Sequence, residues 1–330
     1  MNLELSAAFV AGVRTNPLIS GAVQPQRISL FASALYPTEI FWRQLHHGDF
    51  DVSDMSLSSY AIAVSKGLRD WVGIPAFTTR RFFHTGVMIR TDRGIAAPAD
   101  LAGKKVGVPE FQQSAVLWTR GILRDEFGLD PLSMEWFMER NPGQSHGSAT
   151  GFVPAPGLKL NYVPLDKSIG RMLVDGELDA LIHFSPGNNI IDRTTVDPMT
   201  SPHVKRLFDP PHAEATRYYA KTGIFPINHM VILRRSIAEK HPWAVLNLLE
   251  AFQDAKDRLS KQFDEFIEPL VATGAIDRSL RTTLQTDATP YSVSGAKATL
   301  EALTDFLYRD GLTDRRVSLD ELFADQVLDL

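Results

Sequence analysis

The stretch from Ile74 to Arg90, Ile-Pro-Ala-Phe-Thr-Thr-Arg-Arg-Phe-Phe-His-Thr-Gly-Val-Met-Ile-Arg, joins an apolar strand pattern to a cluster of titratable side chains. In an extended chain successive side chains take opposite faces, so Arg80, Phe82 and His84 fall on one side and Arg81, Phe83 and Thr85 on the other. The first face offers a guanidinium, an aromatic wall and an imidazole within reach of one small anion. The C-terminal part, Gly86 to Ile89, reads as a buried strand that would hold these groups on rigid backbone. The competing reading is an edge strand with solvated arginines and a histidine bonded to a backbone carbonyl. This stretch alone leaves both open.

A second long strand, Phe225 to Leu233, resembles the first and carries His229 in its middle. A chain that leaves one lobe along one strand and returns along another makes a two-lobed α/β hinge protein, with its ligand between the lobes. The expected division is 1–90 plus 226–330 as a discontinuous lobe I and 91–225 as lobe II.

Composition sets the outer bounds. The chain has 330 residues, 44% hydrophobic and 22% charged, enough for an ample globular core and more than one ordinary domain. A net charge of -5 without a long basic run argues against a nucleic-acid partner. The absence of cysteine removes disulfides, thiolate nucleophiles and cysteine metal sites, and fits a reducing cytoplasm. The first residues, Met-Asn-Leu-Glu-Leu, place an acid where a secretory signal has a basic start. No run approaches the roughly 20 apolar residues of a membrane helix. A cytoplasmic protein is expected, with a small molecule as partner and a homo-oligomer compatible with the composition.

Along the chain, Leu3 to Phe9 alternates as a core strand, and Arg14 follows in a turn-rich loop at its carboxyl end, where open α/β sheets bind ligands. Strands are expected at Ile28 to Ala32, Phe50 to Asp54, Met134 to Met138, Leu158 to Val163 and Leu178 to Phe184. Helices are expected at Pro37 to His46, from Met55 to Gly67, from Glu110 to Gly128 and from Asp166 to Val174. Ser56, Ser58 and Ser59 stand at one helix start, and Gln112 and Ser114 at another. Two such starts facing each other would line a cleft with donors, although serines there also serve as ordinary caps. Arg140 to Gly157, rich in Gly, Pro and Ser, reads as a long surface loop or lid. His183 ends a strand, Pro186 to Pro202 is irregular, and helical periodicity dominates from Ser236 onward.

Several motifs fail on context. Gly143-Gln-Ser-His-Gly147 matches the G-x-S-x-G nucleophile pattern, but Asn141-Pro142 precedes it instead of an apolar strand. No phosphate-binding glycine motif and no H-E-x-x-H are present. His46 and His47 are adjacent on a helix and point apart, a poor chelate. A metal could be gathered only from separated residues such as His84, His183 and His229.

With these residues in view, the chain resembles the 4,5-dihydroxyphthalate decarboxylases, a family with the type 2 periplasmic-binding-protein fold. The resemblance runs through Arg14-Thr15, Met55 to Ser59, Pro75-Ala-Phe with Arg80 and His84-Thr85, and Arg90 to Ile95. It continues through Gly107 to Gln112, Trp118 to Leu123, His146-Gly with Ala149 to Phe152, Gly176 to Leu181 and Gly223 to His229. Val13, Phe83 and His183-Phe184-Ser185 depart from the family pattern. The implied fold is a two-lobed α/β architecture with two hinge-crossing strands and a C-terminal helical segment.

The resemblance implies loss of CO2 from 4,5-dihydroxyphthalate to give protocatechuate without an organic cofactor. Each carboxylate is para to a hydroxyl, so the ring itself can take up the electrons that the reaction moves. The protein must supply a proton for the ring carbon, a partner for the catechol oxygen and a clamp for the retained carboxylate. Guanidinium suits the clamp, and an apolar wall such as Phe82 or Phe111 suits the departing carboxylate. On this footing Arg14 and Arg80 are the expected clamps, with Ser58, Ser59, Gln112 and Ser114 as neutral donors and His183 at the substrate. His84 is the expected acid, assisted by His229 or Glu110, and Arg120 is expected to be structural. The alternatives are a solute-binding protein for a small aromatic or heterocyclic anion, or a decarboxylase of another hydroxylated aromatic acid using a divalent metal at the separated histidines.

Overall fold

The computed structural model describes residues 2–183, 191–193, 195–277, 279 and 287–330. Its strands are β1 (Leu3–Phe9), β2 (Ile28–Ala34), β3 (Val52–Ser56), β4 (Trp71–Arg80), β5 (Met88–Arg90), β6 (Lys105–Val108), β7 (Glu135–Met138), β8 (Lys159–Tyr162), β9 (Ala180–Leu181), β10 (Val204–Arg206) and β11 (Ile227–Arg234). They form two sheets, ordered β2-β1-β3-β11-β4 and β10-β5-β9-β6-β7-β8. In the first, β1 runs parallel to β2 and β3, and β11 enters antiparallel between β3 and β4. In the second, β6 is parallel to β7 and β9, while β5 is antiparallel to β9 and β10. Strands β3 and β11 are buried along almost their whole length, and helices pack against both.

The chain crosses from the first sheet after Arg80 and re-enters it at Ile227. Strand β5 pairs within the second sheet, so the crossing falls before Met88, upstream of the division at 90 read from sequence. The expected long strand over Leu178 to Phe184 contracts to Ala180–Leu181. Phe184, Ser185 and 186–190 lie outside the described residues, as does 194. The helix Pro37–His47 starts on proline and stops at Gly48, whose φ of 62° turns the chain left-handed and lets its N–H reach Gln44 O.

The C-terminal helices tie the sheets together. Helix Val293–Arg309 packs on helix Leu57–Ser65 of the first sheet and helix Ser114–Phe127 of the second. Trp118 meets Phe306 edge-on at 5.5 Å and donates its indole N–H to Ile227 O at 2.9 Å. Arg120 is fully buried, bonded to Phe111 O and Asp310, so it holds two helices together as expected. Gly121 is the contact point: a Cβ there would come within 2.2 Å of the Phe306 ring. Gly121→Val should therefore cost about 1–3 kcal/mol by overpacking, measured as the shift in denaturant midpoint.

Candidate functional site

A cavity of about 240 Å³ lies between the sheets, smaller than the roughly 300 Å³ at which drug-sized pockets begin and so matched to a single ring. Its walls come from both sides. Thr38 and Phe41 project from helix Pro37–His47, and Ser56 from the end of β3. Arg81 and Phe83 follow β4, and Asn228 and His229 sit on β11. The far wall is Gln113 and Ser114 at a helix start, with Arg140, His146 and His183 beyond.

Two helix N-termini meet at its floor. Ser58 Oγ donates to Gln112 O at 2.6 Å, Ser114 Oγ accepts from Ser58 N at 3.0 Å, and Ser56 Oγ lies 3.0 Å from Ser114 Oγ. These bonds join the start of helix Leu57–Ser65 to that of helix Ser114–Phe127. The positive dipole ends of both helices favour an anion here.

Burial governs the titrating groups. His183 is pushed down to about 4 and His229 to about 3, chiefly by desolvation, so both imidazoles are neutral near pH 7. At His183 the charge of Asp192 pulls the other way, and the lesser effects of Arg140 and Arg81 add to that of burial. His146 is held well below its usual range by burial, then by Arg140 and His46. Glu110 moves the other way, to about 7, because burial outweighs the nearby Arg140 and the hydrogen bond from Ser145. Phe41 sets its ring edge-on to His229 at 4.9 Å and to His146 at 6.1 Å. Five buried polar atoms here lack a hydrogen-bond partner among the described residues: His229 Nδ1, His146 Nε2, Glu110 Oε2, Asn228 Oδ1 and Gln113 Nε2. Unsatisfied buried groups are rare, and five at one place mark somewhere a polar ligand belongs.

The cavity gathers only part of the set expected from sequence. Ser114, His183 and His229 line it, while Glu110, Ser58, Ser59 and Gln112 form the buried layer behind. Strand β4 ends at Arg80 and a 3-10 turn over Phe83–Gly86 follows, so strict alternation does not carry through to His84. His84 turns instead toward helix Pro211–Thr222, its Nε2 3.2 Å from Glu214 and its ring against Tyr218 and Phe208. Phe82 stacks on Phe225 at 4.8 Å, and Phe111 packs against Trp136, Phe152 and the Arg120 guanidinium. Arg80 leans over Phe77 toward Pro290 O and shares its surroundings with Arg14, Asp287 and Tyr291. The opposite side of the strand, Arg81 and Phe83, faces the cavity.

Two further differences concern metal and lid. His84 stands apart from His183 and His229, and among the described residues no group of three or more His, Asp or Glu is placed to hold a metal ion. The segment from Arg140 to Gly157 is no simple surface loop, because Arg140, Ser145, His146 and Thr150 are buried. Their side chains bond inward, Arg140 to Asp192 at 2.8 Å, Ser145 to Glu110 at 2.7 Å and His146 through Nδ1 to Ser59 at 3.0 Å. His46 is likewise engaged, with Trp42 O at 3.1 Å and Ser148 Oγ at 3.0 Å. Sequence reasoning passed over Phe41, Arg81, Gln113, Arg140, His146 and Asn228 as site residues. Strand alternation gave a signal for Arg81, and His146 and Asn228 stood within stretches that carry the family resemblance.

No protein-family model matches the chain. Among solved structures it is similar to the periplasmic aliphatic sulphonate binding protein of Escherichia coli, with a TM-score of 0.55 and 15% identity over all of both chains. The desulfurization enzyme DszB is similar at a TM-score of 0.51 and 18% identity, covering 99% of this chain and 98% of that one. These likenesses establish the periplasmic-binding-protein fold. No helix of the described residues is long and apolar enough to cross a membrane. In sequence, a 2'-hydroxybiphenyl-2-sulfinate desulfinase of Rhodococcus erythropolis is 24% identical, covering 74% of this chain and 70% of its own. A 4,5-dihydroxyphthalate decarboxylase of Comamonas testosteroni is 32% identical over 324 residues, which is 97% of this chain and 96% of that one. A second, of Pseudomonas putida, is 38% identical over 54% of this chain and 70% of its own. Identity of that degree across nearly two whole chains makes this protein a member of the 4,5-dihydroxyphthalate decarboxylase family.

Proposed function

We propose that the cavity binds 4,5-dihydroxyphthalate and decarboxylates it to protocatechuate and CO2 as a carboxy-lyase. The observation that carries this reading is the full-length relationship to the Comamonas testosteroni decarboxylase. Arg81 takes the carboxylate that is retained. It opens on the cavity, and no carboxylate among the described residues pairs with it. Arg140 is already committed to Asp192 and supplies field more than grip. The ring lies against Phe83 and Phe41, whose apolar surface favours the departing carboxylate as neutral CO2 over its charged start.

His229 is the partner of the catechol hydroxyl para to that carboxylate. Its neutral imidazole, with Nδ1 unpaired, accepts the hydroxyl proton as electron density rises in the ring. The ipso carbon then takes a proton, the bond to the carboxylate breaks, and its electrons restore the aromatic ring while the hydroxyl recovers its proton. One proton is consumed per CO2 released. The ring is its own electron sink, so the reading calls on no organic cofactor. A cytoplasmic setting, in keeping with the cysteine-free composition, completes the proposal.

Incubation with 4,5-dihydroxyphthalate should release CO2 and protocatechuate in equal amounts, and a failure to do so overturns the reading. Arg81→Gln should raise KM about 10–100-fold, the worth of a charge-assisted carboxylate bond, whereas Arg80→Gln on the other side should change it by less than about threefold. Binding should also be linked to protons. His183 is neutral in the empty cavity at pH 7, and a bound dianion raises its pKa, so a proton enters with the ligand while His229, the more strongly depressed of the two, stays neutral. Phthalate, as a non-reacting analogue, should bind more tightly as pH falls from 8 to 6. Calorimetry in buffers of different ionisation enthalpy should register net proton uptake.

A further inference from the structure

The decarboxylation consumes one proton per turnover, and the closed, neutral-histidine cavity leaves open where that proton is kept. Behind the cavity runs a line of buried groups that the steps above do not use. Glu110 is fully buried, its Oε1 accepts from Ser145, and its Oε2 has no partner. That oxygen lies 3.8 Å from His146 Nε2, which also has none. On its other side His146 Nδ1 is 3.0 Å from Ser59 Oγ. Ser59 Oγ donates its single proton to Ser56 Oγ at 3.2 Å, and Ser56 lines the cavity.

The donor count fixes the direction. Because Ser59 gives its proton to Ser56, it can only accept from His146, which puts the imidazole proton on Nδ1. The bare Nε2 of His146 then faces Glu110, and only a protonated Glu110 gives that pair a hydrogen bond. Ser58 and Ser114 are already committed, Ser58 to Gln112 O and Ser114 to Ser58, which leaves the Ser56 hydroxyl as the one that can turn toward a ligand.

We propose that Glu110 is the stored-proton residue of this reaction and that Glu110, His146, Ser59 and Ser56 form a relay delivering that proton to the ring carbon. The proposal rests on the decarboxylase reading above. Ser56 gives its hydroxyl proton to the ipso carbon and is refilled by Ser59. Ser59 is refilled by His146 Nδ1, and His146 takes the Glu110 proton at Nε2. The net change is a carboxylate at Glu110 and a new C–H bond on the ring as CO2 leaves. Arg140, 3.8 Å from Glu110 Oε2, receives the negative charge so formed. The groups that face the relay are Arg140, Asp192 and Tyr162 around Glu110, and Arg140 and His46 around His146. Glu110 being raised to about 7 by burial agrees with a carboxyl that holds its proton between turnovers and reloads at neutral pH. The 3.8 Å gap is longer than a hydrogen bond, so the relay requires it to shorten in the complex, as catalytic hydrogen bonds that are long in empty sites commonly do.

The test uses the whole protein with 4,5-dihydroxyphthalate, comparing wild type, Glu110→Gln, Ser59→Ala and the double variant. Each single variant should lower kcat about 100-fold, as loss of general acid catalysis does, with phthalate affinity changed less than about threefold. The wild-type kcat should fall as pH rises through about 7, and Glu110→Gln should lose that limb. In mixed H2O and D2O the wild-type rate should curve with deuterium fraction, since several protons move together. The double variant should be no slower than either single one, because both cut the same relay. Multiplicative losses, or an unchanged pH limb in Glu110→Gln, would overturn the relay. Should Glu110→Gln fail to fold, the deuterium curve of the wild type against Ser59→Ala decides, with equal curvature in both overturning it. Wild-type protein that releases no CO2 overturns the decarboxylase reading together with the relay, whereas active wild type with unaffected variants overturns the relay alone.

Discussion

Everything in this molecule that bears on ligand depends on the meeting of two helix starts. Ser56 and Ser58 from the first sheet and Ser114 from the second are fully or nearly fully buried, and they bond to each other and to Gln112 O across the junction. Each bond contributes only about 1 kcal/mol net, but leaving one of these groups unpaired would cost more, so the arrangement is strongly specified. It brings two positive helix ends to one point and fixes the floor of the cavity. The apolar grip of Trp118, Gly121 and Phe306 then holds the helix carrying Ser114 in register with the rest.

Having buried that seam, the fold must manage titratable groups away from water. It does so in two opposite ways. The histidines are left uncharged, since burial disfavours each imidazolium and Arg140 adds to it at His146 and His183. The carboxyl of Glu110 is left protonated over much of the neutral range for the same desolvation reason, in spite of Arg140 nearby. Neutral bases and a neutral acid in one small space are what proton transfer to and from an aromatic ring needs. The same physics makes the empty cavity receptive to a dianion, because no carboxylate among the described residues lines it.

Much of this was legible in the chain. The first strand, the helix that begins at Pro37 and stops at Gly48, and the two long strands that lead out of and back into the first sheet all follow from local pattern and turn chemistry. The serine-bearing helix starts were visible too, as was a cleft formed by two such starts facing one another. What failed was the assignment of faces after Arg80. Period-2 reasoning joined Arg80 to His84, but a single 3-10 turn intervenes and sends His84 to Glu214, leaving Arg81 and Phe83 at the cavity.

The sequence by itself determined the two-sheet α/β architecture, the crossing strands and the family, because these rest on apolar periodicity, turn residues and motifs spread over the whole length. Only the tertiary structure decided which charges share a cavity. His146 and Arg140 sit in a segment rich in Gly, Pro and Ser that looks like surface, and they become interior through partners far off in the chain: Ser59 for the one, Asp192 for the other. Local pattern carries no information about such distant pairings. Which arginine meets the ligand depends likewise on where a strand stops, and that is set by how the second sheet packs against the first.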